Sequence, residues 1–118
     1  AIREAWEEIG ILLAEPPAPP LEVATPFGGE LLARGVRPAP ARLVHFAHWV
    51  TPEHAPKRFD THFFAAHAPE GQQAVHDGRE AVECAWLRPQ DALDQAGEGR
   101  WTLVFPTRLN LRRLARFA

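Results

Sequence analysis

The stretch Ile2-Arg3-Glu4-Ala5-Trp6-Glu7-Glu8-Ile9-Gly10-Ile11-Leu12-Leu13-Ala14 decides how the rest of the chain is read. Its apolar side chains Ile2, Ala5, Trp6 and Ile9 fall at i, i+3, i+4 and i+7, which sets them on one face of an α-helix. Arg3, Glu4, Glu7 and Glu8 take the other face. Gly10 can enter the left-handed region that ends a helix, and the apolar run 11–14 has the length of a buried strand. The opening therefore predicts a helix, a glycine stop and a buried strand.

The polar face of that helix carries the chemistry. Glu4, Glu7 and Glu8 stand at i, i+3 and i+4, which brings their Cβ atoms to about 5–6 Å from one another. Three like charges so close destabilise a helix unless something positive offsets them. Arg3, paired to Glu7 at i+4, would make this a solvated acidic face. A hard divalent cation such as Mg²⁺, which takes oxygen ligands and keeps several waters, would make it a metal site.

Outward from this stretch, residues 15–42 hold seven of the chain's prolines, from Pro16 to Pro40, too many missing N–H donors for a central strand or a long helix. We expect a long excursion with a helical turn or two at Glu30–Arg34, either a surface loop or a structured insertion bordering a cleft. Leu43–Val50 and Arg58–Ala66 read as strands joined by the proline-containing 51–57. Val82–Leu87 reads as a third, with Val82, Cys84 and Trp86 on one face. Pro89 can start a short helix over Gln90–Gln95, and a last helix fits Thr107–Phe117 with Thr107 as its N-cap.

The whole chain has 118 residues, 46% hydrophobic and 24% charged, with a formal charge of −2. That is one domain's worth of globular sequence, long enough to bury a core without staples. The lone Cys84 excludes an intrachain disulfide framework and argues against a zinc cluster built on paired cysteines. No apolar run approaches the roughly 18 residues of a membrane span, no charged-then-apolar leader opens the chain, and the near-neutral balance argues against nucleic acid as a partner. Twelve arginines against one lysine suggest a GC-rich coding sequence, so a bacterial and cytoplasmic setting is expected. The chain has no methionine and opens inside a helical pattern without a capping residue, which predicts the later part of a longer protein.

Arg3 to Ile11 resembles the second half of the Nudix box, R-E-U-x-E-E-x-G-U with U aliphatic, at all its fixed positions. The resemblance implies an α/β (α+β) fold in which a mixed β-sheet lies between helices, with the strands that precede the catalytic helix missing. On that scheme 1–118 is the C-terminal part of one Nudix domain: 1–10 the second half of the box helix, 15–42 a proline-rich insertion, 43–118 the remaining strands and final helix. It implies Mg²⁺- or Mn²⁺-dependent hydrolysis of a diphosphate bond in a nucleoside diphosphate derivative, a small nucleotide-type substrate, and a homodimer. By position Glu4, Glu7 and Glu8 would be metal ligands, Glu4 could also act as base, and Arg3 would orient a carboxylate through a salt bridge.

Phe46–Pro52, Lys57–Phe64 and Ala85–Leu87, with Phe105–Leu111 more faintly, are similar to the branch that contains coenzyme A diphosphatases, which suggests coenzyme A or an acyl derivative as substrate. The full box opens upstream with G-x5-E-x7, and only two residues precede Arg3 here, so the chain alone is expected to be weakly active or inactive. The reading from a different class is a non-catalytic remnant or interaction module.

Four further groups have two readings each. Glu80 and Glu83 could reach the metals or be surface charge. The six histidines read as ordinary strand and loop residues, since none makes H-x-x-x-H on a helix. Arg58 and Asp60 could face substrate, with a cross-strand ion pair the simpler reading. Arg108, Arg112, Arg113 and Arg116 form a solvated face of the last helix or bind phosphate.

Overall fold

Helix α1 spans Ile2–Ile9, and Gly10 closes it at φ 67°, its N–H and that of Ile11 returning to the carbonyls of Trp6 and Ala5. That left-handed backbone is open to glycine without steric cost. The computed structural model describes residues 1–17 and 26–117, so the part of the proline-rich expectation on 18–25 lies outside the described residues. Ile11 to Ala14 are buried, as their apolar run demands, but ladder pairing is confined to strand β1, Ala14–Glu15. It pairs antiparallel with β2, Arg37–Pro38, Ala14 opposite Pro38 and Glu15 opposite Arg37. Pro38 has no N–H to give, and the Ala39 N–H extends the contact to the Leu13 carbonyl instead.

Helix α2, Phe27–Arg34, begins earlier than the turn or two expected at Glu30 and ends on Gly35 at φ 62°. A 3₁₀ turn at Pro40–Arg42 leads to β3, Val44–Val50, which pairs with β4, Asp60–Ala65. Helix α3 covers Pro89–Gly97 and α4 Phe105–Leu114. The last helix thus starts two residues before Thr107, which is not its cap: Val104 holds that place and Pro106 fits the first turn, where a missing N–H costs nothing. The mixed α/β class expected from the sequence is the one observed.

Val82–Leu87 corrects the reading of a third strand. The segment has no ladder assignment, and Val82 and Trp86 are 73% and 71% exposed. Its alternation suits a strand, but no described segment offers it a ladder.

By contacts the chain divides into two units, Ala1–Phe46 with His62–Cys84, and Ala47–Thr61 with Ala85–Ala118. In the first, Trp6, Leu12 and Ala14 form the core, with Phe27, Leu31 and Val36 packed against them. The apolar face of α1 is thus covered by α2 and the segment after it. In the second, α3 packs on α4, the Trp49 indole donates to Asn110 Oδ1 at 3.0 Å, and the Trp49 ring meets Phe105 edge-on at 5.9 Å. The indole hydrogen bond gives the buried Asn110 an apolar neighbour with one polar handle.

Candidate functional site

Helix α1 presents Glu4 and Glu7 to solvent and leaves Glu8 half-buried. Arg3 pairs with Glu7, so a positive group offsets one of the three like charges.

The C-terminal end of this helix is fastened by residues 72–81. Asp77 N–H donates to the Glu8 carbonyl and Val75 N–H to the Ile9 carbonyl, both at 3.0 Å. These are carbonyls a helix end leaves without intrahelical partners. The Gln72 side chain does the same for the segment beyond: its Oε1 accepts from Leu12 N–H at 2.7 Å, and its Nε2 donates to the Leu12 carbonyl at 3.0 Å. A side-chain amide here plays the part of a neighbouring strand. Asp77 in turn accepts from the N–H groups of Arg79, Glu80 and Ala81 at 2.9–3.3 Å, which closes the loop and holds its carboxyl below the usual range.

Neither Gln72 nor Asp77 was singled out from the sequence. Asp77-Gly78 is a turn signal that could have been read, whereas nothing local marks Gln72.

Glu80 and Glu83 are exposed. Among the described residues, the three-member group whose ligand atoms lie within 4.8 Å of one another is His48, Asp60 and His62 on strands β3 and β4, and not the glutamates of α1. The histidines are strand residues, as read from the sequence, and their donor atoms stand close enough together to form a potential divalent-metal group. His48 Nε2 lies 2.5 Å from Asp60 Oδ1, and His45 Nε2 lies 3.1 Å from His62 Nδ1. All four side chains are exposed.

The cross-strand partner expected for Asp60 is thus found in His48 on β3, while Arg58 Nε donates to the Thr51 carbonyl at 3.2 Å, where the connecting loop folds back. The arginines of the last helix are exposed, as a solvated face requires. The two donor sets differ in kind. Carboxylates alone suit Mg²⁺ or Mn²⁺, while imidazoles with one carboxylate suit zinc and its neighbours.

This arrangement of a carboxylate helix, a glycine stop and small sheets is the Nudix-like α/β architecture. The crystal structure of a NUDIX hydrolase from Alicyclobacillus acidocaldarius superposes with a TM-score of 0.78 at 30% identity, over 98% of this chain and 59% of that one. Among curated proteins, the acyl-coenzyme A diphosphatase NUDT19 of Homo sapiens is 31% identical over 144 residues, which takes in all of this chain and 38% of that protein. The chain thus spans less than two thirds of either relative. No family model matches it. No helix among the described residues is long and apolar enough to cross a membrane.

Proposed function

We propose that this chain is part of a Nudix hydrolase that cleaves a diphosphate bond in a nucleoside diphosphate derivative, with coenzyme A or an acyl-coenzyme A as the substrate class. The observation that carries the reading is the stretch Arg3–Ile11, folded as a helix with Glu4, Glu7 and Glu8 projecting from it and stopped at Gly10. Likeness to a solved NUDIX hydrolase and to a human acyl-coenzyme A diphosphatase supports it.

The three carboxylates fit Mg²⁺ or Mn²⁺ in charge, in oxygen donors and in access to solvent. Glu4 and Glu8 would hold the cation, with Glu7 a third ligand. Bound there, the metal supplies charge for the diphosphate oxygens and lowers the pKa of a bound water. Arg3 fixes Glu7 through their ion pair, and the 75–77 main chain fixes the turn that bears Glu8. Glu4 is the group that would take a proton from water. The partner on this reading is a small nucleotide-type molecule, and the chain forms the homodimer that the resemblance implies.

The test is a Mn²⁺ titration followed by electron paramagnetic resonance, beside thermal unfolding with and without Mg²⁺. Wild type should bind and be stabilised, and Glu4→Gln with Glu8→Gln should lose both responses. Equal binding in the two proteins would remove the helix as the metal site and point to the His48, Asp60 and His62 group, and no binding in either would leave the non-catalytic module as the reading.

A further inference from the structure

The first unit also carries a cavity of about 480 Å³ that the hydrolase reading does not use. Pro17 and Ala68 give it an exposed apolar side, with the buried Leu12 and Pro69 behind them, and Arg42 and the exposed His67 stand in its wall. The same two side chains line a second cavity of about 210 Å³, so they stand where the two share a wall. Arg42 ends the 3₁₀ turn and is half-buried. Among the described residues no carboxylate lies within ion-pair distance of its guanidinium.

A charge drawn partly out of water without a counter-ion is unfavourable, and an anion entering the cavity would relieve it. Guanidinium offers a planar fork that matches two oxygens of a phosphate, and the imidazole of His67 adds a donor beside it. The Gln72 amide, the other polar group of the wall, has both ends on the Leu12 main chain. Recognition therefore falls to Arg42 and His67, and the apolar side is left for the body of the ligand.

We propose that this cavity binds a small organic phosphate, its phosphate on Arg42 and His67 and its body against Pro17 and Ala68. Glu70, exposed at the rim, works against the anion. Its effect gives the proposal a sign that a nonspecific site would not reproduce.

The test titrates phenyl phosphate, and separately inorganic phosphate, into the 118-residue chain and follows ¹⁵N–¹H spectra. Phenyl phosphate should saturate and move the amides of Leu12, Ala68 and Glu70. Arg42→Gln should weaken it about tenfold, as loss of a charge-assisted fork requires. Glu70→Gln should tighten it by about twofold, the size of an exposed charge effect. Arg112→Gln on α4 should change nothing, and Glu4→Gln with Glu8→Gln should leave binding intact, which separates this cavity from the metal helix. If Arg42→Gln disturbs the fold, Arg42→Lys keeps the charge without the fork and should bind at an intermediate strength. Failure to saturate, equal affinity for inorganic and phenyl phosphate, or indifference to both Arg42 variants would overturn the proposal.

Discussion

Replacing Gln72 by leucine removes the hydrogen bond that Leu12 N–H donates at 2.7 Å and the one that the Leu12 carbonyl accepts at 3.0 Å, at a residue only 1% exposed. Water cannot replace them. A buried donor or acceptor left without a partner costs about 1–3 kcal/mol, so two cost about 2–6 kcal/mol. An added apolar side chain at a site 9% exposed returns about 1–2 kcal/mol. The net loss is about 1–4 kcal/mol, a large fraction of the roughly 5–15 kcal/mol of a small domain. With a slope of about 2 kcal/mol per molar urea, the midpoint should fall by about 0.5–2 M.

Gln72→Glu refines the test. The ionised carboxylate can still accept from Leu12 N–H, but its other oxygen faces the Leu12 carbonyl with no proton to give. Protonation restores that donor, so the folded protein holds the proton more tightly than the unfolded chain does, and the introduced carboxyl's pKa is raised on folding. Stability is then full below the unfolded value and lost as pH rises through the folded one, so the deficit against wild type should be smaller at pH 4 than at pH 7. Urea unfolding at both pH values, followed by circular dichroism, measures both variants. A Gln72→Leu protein within about 0.5 kcal/mol of wild type would refute the claim that this amide holds the segment after α1.

Glu30 is fully buried and pairs with Arg34 one turn on. Glu30→Leu should cost about 3–5 kcal/mol by stranding that cation, and Glu30→Leu with Arg34→Leu should recover most of it in the same urea assay. The Asp77 carboxyl is depressed by the N–H groups of Ala81 and Arg79, so its contribution is present above the unfolded value and lost as pH falls through the folded one. Asp77→Ala should therefore unfold at lower urea than wild type at pH 7, the gap closing once the pH drops below about 4. A gap that is constant with pH would count against those hydrogen bonds.

Local rules carried the reading furthest where the structure itself is local. The i, i+3, i+4, i+7 spacing located α1, and the glycine at its end took the left-handed conformation that the sequence allowed. Pairing was less legible. Val82–Leu87 alternates like a strand, but alternation says nothing about whether a ladder partner stands beside it, and there it does not among the described residues. Thr107 looked like a cap because threonine caps helices, yet Val104-Phe105-Pro106 let the chain turn helical sooner.

The α1 carboxylates were visible as a motif, whereas the contacts that hold their helix and the segment after it bridge sixty positions or more, as Leu12 to Gln72 does (|i−j| = 60) with Glu8 to Asp77 beyond it. No window of sequence contains both ends. The His48, Asp60 and His62 group was missed for the same reason: a rule that looks for ligands along one helix does not see two strands brought side by side.

The hold of Gln72 on Leu12 also has a kinetic side. The amide proton of Leu12 can reach water only when a side chain from another part of the sequence lets go. The amide protons of Val75 and Asp77 are sheltered by carbonyls at the end of α1, a few residues from the same side chain. The Leu12 proton and the two protons at Val75 and Asp77, far from it along the chain, are thereby tied to one opening motion, and in deuterated solvent they should exchange with one common free energy and not with three separate ones.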